Sequence, residues 1–164
     1  WGSKDDLKVG DRNLGAERAL IQFALDGHIP ANAQIHSAKL SLSAWSRRSL
    51  FGIRVTAYEV TRAWDASQAT WNRASSTDTW SAPGCDGVDS DRLGEPLVST
   101  FVYSADQLYE WNVLPLVRKW VADPSANKGL LLIGYDISQE VRFRSSEWCT
   151  RRHRPKLTIV YTLP

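Results

Sequence analysis

The chain lacks any run of about 18 consecutive apolar residues, so no stretch of it reads as a membrane-spanning helix. It lacks a signal peptide and opens on Trp1 rather than Met, which points to a processed or excised piece and leaves targeting unread. It has little net charge: the balance is +2, too small to argue for nucleic acid, and no segment reads as a recognition helix. Enzyme signatures are missing too. There is no Gly-x-Ser-x-Gly, no His-Glu-x-x-His and no phosphate-cradling Gly-Lys-Ser/Thr loop. Paired carboxylates, which glycosidase chemistry requires, are not evident on the strand-like segments. The chain is therefore expected to be non-catalytic. Cysteines number two, Cys85 and Cys149, and His28, His36 and His153 show no ligand spacing, so a four-ligand zinc site is excluded. A Cys85–Cys149 disulfide is the natural pairing if the protein is exported. It would close a loop of about 65 residues, worth roughly 4 kcal/mol in the chain-entropy model.

What is present is mostly strand pattern. The 164 residues fit a single domain, 1–164, and the 43% hydrophobic and 23% charged content is that of a folded protein with a real core. Leu7-Lys-Val9 reads as a short strand and Ala19 to Leu25 as a longer one. Between Ala33 and Trp45 the alternation sends Leu40, Leu42 and Ala44 inward and Lys39, Ser41 and Ser43 outward. Ser46 to Ser49 reads as a basic turn. Gly52 to Arg62 is another strand, whose apolar set changes face between Val55 and Tyr58 and so predicts a bulge. Leu97 to Tyr103 and Tyr109 to Asn112 follow as strands. One helix is expected after Trp111, with Pro115 in its first turn, Asn112 beside its cap, and Leu116, Val117, Trp120 and Val121 on one apolar stripe. Asp123-Pro124 ends it. Leu130 to Ile133 is continuously apolar, a strand covered on both faces. Val141 to Ser145 alternates, and Lys156 to Tyr161 closes the chain as a strand. Many short strands with turn signals between them, and one helix, predict an all-β, jelly-roll-like antiparallel β-sandwich.

Two features could carry function. The irregular stretch Trp64 to Leu93 holds Asp86, Asp89 and Asp91, whose spacing could wrap a structural calcium or simply form a solvated acidic turn. No other cofactor is expected. Between Arg142 and Lys156 lie Arg142, Arg144, Arg151, Arg152, Arg154 and Lys156 against the single acid Glu147. Arginine pairs bidentately with carboxylate, sulfate or phosphate. Trp148 and His153 in the same stretch could stack on a sugar ring or a base. Trp45, Arg47 and Arg48 form a second such patch.

Several segments together resemble the DNRLRE domains, extracellular β-sandwich modules that include carbohydrate-binding modules of polysaccharide lyases. The matching residues are Leu7-x-Val9-Gly10, Arg18-Ala-Leu-Ile-x-Phe23, Ile35-x-Ser37-Ala38-x-Leu40-x-Leu42 and Ala69-Thr70-Trp71-Asn72. Trp111-Asn-Val with Trp120-Val121, Asn127-x-Gly129-Leu-Leu-Leu132 and Arg154-Pro155-x-Leu157 continue it. The resemblance implies a secreted or cell-surface module that binds a polysaccharide, an acidic one given the arginines. The alternative is a structural subunit of a surface layer, filament or adhesin. Domains of that family begin with a strand before the segment matching Trp1-Gly2-Ser3. Its loss implies a vacant sheet edge, to be filled by a donor strand or by another copy of the chain.

Overall fold

In this computed structural model, residues 5–12, 15–25, 27–48, 51–135 and 138–164 are described, Arg12 by its backbone alone. Trp1 to Ser3, where the resemblance places the loss of a strand, lie outside them, as does Ser49. The strands are β1 (Asp6–Arg12), β2 (Gly15–Ile21), β3 (Gln34–Arg48), β4 (Ile53–Glu59), β5 (Val98–Val102), β6 (Leu108–Asn112), β7 (Leu130–Gly134), β8 (Glu140–Arg144) and β9 (Lys156–Thr162). The helix, α1 (Leu114–Ala122), lies between β6 and β7. The fold is all-β and sandwich-like, as the strand pattern predicts.

All strand pairs are antiparallel, in the order β5-β4-β7-β2-β1-β8-β3-β6. The sheet curls until its ends meet, where the Thr100 hydroxyl on β5 donates to the Glu110 carbonyl on β6 (2.7 Å). Inside the curl, Leu40, Leu42 and Ala44 of β3 pack with Val55, Trp111, Val141 and Phe143. Trp111 stands edge-on to Phe143, ring centres 5.7 Å apart, and its indole N–H donates across the core to the Val55 carbonyl (3.1 Å). Helix α1 closes one end with the four residues of its stripe, Leu116, Val117, Trp120 and Val121, all buried. Its N-cap is Val113, which has no capping side chain. Asn112 assists one residue earlier, its Oδ1 accepting from Leu114 N–H (3.2 Å).

A second core lies on the outer side of the curl. Tyr58, Leu131 and Ile133 face out from β4 and β7 and are covered by Val60, Ala69, Ala74, Trp80 and Cys85 of the long irregular segment. Strand β7 is thus buried on both faces, with Leu130 and Leu132 inward and Leu131 and Ile133 outward. The same layering corrects the reading of β4. Its pairings with β5 and β7 run without a shift in register, so there is no bulge. Val55 and Ala57 face one core and Tyr58 the other. The irregularities fall on β3 instead, at Trp45 and His36, each an extra residue against its partner strand. The expected basic turn at Ser46 to Arg48 is a continuation of β3. The strand expected over Ala19 to Leu25 runs earlier, from Gly15 to Ile21.

Candidate functional site

The length of β3 organises the basic region. Its Ala44–Arg48 end pairs with β8 and its Gln34–Ser41 end with β9. Both partners lie on the flank opposite β6, because Ala44 donates to Gln107 while pairing with Phe143, and Lys39 to Ser41 pair with β6 and β9 together. Strands β8 and β9 therefore lie end to end along one flank. Residues 145–155 leave that line as an outward excursion and return to it. Glu147 N–H and Trp148 N–H fold back on Ser145, and Arg154 Nε donates to the Trp148 carbonyl (2.8 Å), which ties the excursion's two limbs.

The excursion lays Trp148 against Trp45, the bulged residue of β3, with ring centres 5.6 Å apart and planes tilted by 37°. The Arg144 guanidinium sits 5.1 Å from the Trp148 ring centre. The structure thus merges the two predicted patches, Trp45 from one and Arg144 and Trp148 from the other. Arg144 also donates to Ser43 Oγ (2.7 Å), the Ala44 carbonyl (3.1 Å) and Asp106 (3.0 Å). It is held in a fixed pose. Trp45 Nε1 and Arg144 Nε are buried donors with no protein acceptor. Arg151 and Arg152 project into solvent from a short 3-10 turn beside Trp148. Arg47 and Arg48 continue β3 opposite Val141 and Glu140.

Arg142 points to the same outer face but belongs to an acidic cluster. It donates to Glu140 in close contact and pairs with Asp6 at 3.4 Å. Glu140 is almost wholly buried beside Glu17, and Lys8 lies 3.6 Å from Glu17. Sequence reasoning missed this pair of carboxylates. Both stand opposite Gly10 of β1, one from each side. Gly10 has φ 140°, and a Cβ there would meet the Gln139 carbonyl oxygen at 2.0 Å, so no side chain separates the two acids. Burial first, then the neighbouring Glu140, pushes the Glu17 carboxyl above its ordinary range against the pull of Lys8 and Arg142. Among the described residues, Glu17 Oε2 and Glu140 Oε2 are both buried with no hydrogen-bond partner.

The other candidates take different roles. Asp86 accepts from Arg18 (2.9 Å) and Arg92 (2.7 Å). Asp91, fully buried, accepts from the backbone N–H groups of Ser81, Ala82 and Gly87 and from Arg62. Asp89 faces Gly94 N–H. The three carboxylates are turned to separate partners, and among the described residues no three acidic, histidine or cysteine groups converge as a metal site. The expected disulfide is likewise corrected. Cys85 is a free thiol in the second core and Cys149 a free thiol on the exposed excursion. The long loop is pinned by Asp91 and the arginines instead. A groove of about 440 Å³ beside α1 offers one charged group, Arg118, and both of its bonding nitrogens are given to the Ile35 carbonyl (2.8 and 3.0 Å).

No curated protein matches the chain. A family profile described as the Disaggregatase related repeat domain matches residues 2–159. That match spans nearly the whole sequence and overturns the resemblance to DNRLRE domains. The segments that carried the resemblance are core residues and turns of the sandwich, such as Leu40, Trp111 and Gly129, which any fold of this architecture requires.

Proposed function

We propose, from the premise that the chain belongs to the disaggregatase related repeat family, that it is a non-catalytic module binding an acidic polysaccharide on the outer face of β8 and β3. The observation that supports this reading is the Trp45–Trp148 pair with Arg144 fixed beside it. An indole face offers a pyranose ring an apolar stacking surface. A guanidinium held at its edge offers a uronate carboxylate a bidentate partner. Arg151 and Arg152 add exposed positive charge on the same side, suited to a polymer that carries one acid group after another. The family description ties these domains to a disaggregatase, which suits a module that holds on to aggregated material.

Retardation in native gels containing alginate or pectin, beside titration calorimetry at low and high salt, tests the reading. Exposed charge pairs are screened as the Debye length falls to about 3 Å at 1 M salt, so affinity should drop strongly. Trp148→Ala with Arg151→Gln should abolish retardation while the fold persists. Salt-independent binding to a neutral glycan, or wild-type binding by this variant, overturns it.

A further inference from the structure

Strand β9 lies off the main strand order, on one flank of β3. Strand β1 covers β8 on the side away from β3, and Asp5, the first described residue, accepts from Ser145 N–H (3.0 Å). The end strands β5 and β6 face one another where the curl closes, linked there by Thr100 and Glu110. Among the described residues, β9 pairs with β3 alone. Among the described residues nothing pairs with its far side, a row of backbone donors and acceptors seven residues long.

The sequence of this strand does nothing to guard that edge. Lys156-Leu-Thr-Ile-Val-Tyr-Thr162 is rich in β-branched and aromatic residues and contains no proline or glycine. Its one charge stands at the first position. Natural edges are usually blunted by a central lysine, a proline or a bulge on the exposed strand. Here the bulge, His36, lies on β3 and leaves β9 regular. Apolar side chains are displayed beside the open flank: Val160 is 54% exposed and Leu163 60%.

The strand is also compatible with its own copy. An antiparallel pairing centred on Ile159 sets Lys156 opposite Thr162, Leu157 opposite Tyr161 and Thr158 opposite Val160. No like charges meet, and the aliphatic–aromatic and β-branched pairs are among those that stabilise sheets. The family is described as a repeat domain, a description that suits a module meeting its own kind.

We infer that β9 is an association edge, and that a second copy of this chain docks on it by antiparallel β9–β9 pairing to make one sheet continuous across a two-fold dimer. The interface is isologous and closes at two copies. It lies on β9, not on the Trp45–Trp148 site, and it holds or fails independently of sugar binding.

Sedimentation velocity of the chain over a range of concentrations should show a monomer–dimer equilibrium. Thr158→Lys combined with Val160→Lys brings like charges opposite each other twice, and should raise the dimer dissociation constant roughly tenfold or more. Thr158→Glu combined with Val160→Lys sets opposite charges in the same places and should restore the dimer. Circular dichroism and thermal unfolding should show both variants folded, since these side chains face solvent in the monomer. A wild-type chain that stays monomeric at all concentrations overturns the inference. So does a dimer indifferent to the double lysine variant, or an open-ended series of larger species, which would signal head-to-tail strand donation.

Discussion

Asp91 is the residue on which the long loop's placement most depends, and Asp91→Asn tests this with minimal change of shape. Oδ1 accepts from Ser81 N–H (3.0 Å) and Arg62 Nε (2.7 Å), and Oδ2 from Ala82 N–H (3.1 Å) and Gly87 N–H (3.0 Å). An amide keeps one oxygen and replaces the other with a donor, so two of the four bonds are lost whichever way it turns. The less costly orientation puts the NH2 at Oδ1, because the Arg62 side chain is 32% exposed and can turn to water. Ser81 N–H is then left facing a donor, at about 1–3 kcal/mol, and the ion pair with Arg62 is gone. The expected loss is about 2–4 kcal/mol, a large share of the roughly 5–15 kcal/mol that holds a domain of this size together. Urea unfolding followed by tryptophan fluorescence should show the midpoint falling with its slope unchanged. The pH profile adds a second check. Burial raises the Asp91 carboxyl, but the three backbone N–H groups and Arg62 outweigh it and hold it below its ordinary value of 3.8. A depressed carboxyl adds stability above its ordinary value, and that stability is lost as pH falls through the folded value. Wild type should therefore lose stability more steeply than the variant below about pH 4. A loss under about 0.5 kcal/mol with parallel acid limbs would refute the view that Asp91 anchors the loop.

Three further outcomes follow from the same contacts. Trp120→Ala should cost about 3–5 kcal/mol in chemical denaturation while leaving polysaccharide retardation of the folded fraction intact, since Trp120 lies in the inner core under α1. Glu17→Gln should stabilise the fold by about 1 kcal/mol at neutral pH, because it removes a carboxyl whose charge is disfavoured by burial and by the neighbouring Glu140. A raised carboxyl contributes fully below its ordinary value of 4.5 and loses that contribution as pH rises through the folded value, so thermal scans of variant and wild type should converge in acid. Native alkylation followed by mass spectrometry should label Cys149 and spare Cys85, whose thiol burial pushes up to about 12; denaturation should expose the second thiol.

Local pattern made much of this fold legible. The stripe of α1 and the two-faced burial of β7 follow from helical spacing and from an unbroken apolar run, signals that need no knowledge of the rest of the chain. Strand β4 was harder, because Val55, Ala57 and Tyr58 look like a face change until the loop from Val60 to Leu93 is known to cover the outer side. The site was half legible. Trp45 and Trp148 could be named as stacking residues, yet their contact depends on a bulge in β3 and an excursion after β8, neither of which has a local signature. Glu17 and Glu140 were invisible for the same reason: they meet over Gly10 only because β1 inserts between β2 and β8. The alternating arginines looked free in sequence, whereas Arg142 is bound to Glu140 of its own strand and Asp6 of β1, and Arg144 to Ser43 and Ala44 of β3 and to Asp106.

The placement of β1 has a consequence for synthesis. It is made before every other described strand of this domain, and its place in the sheet is between β2 and a strand that begins at Glu140. It must wait, paired on one side, until nearly the entire domain has emerged. Contacts of such sequence separation place the domain among slow-folding topologies. In an array of like domains, the strand that waits has two suitors: its own β8 and that of the copy translated next. Swapped pairing between neighbours is the error this topology invites, and linkers too short to let one domain's β1 reach the next domain's β8 would suppress it.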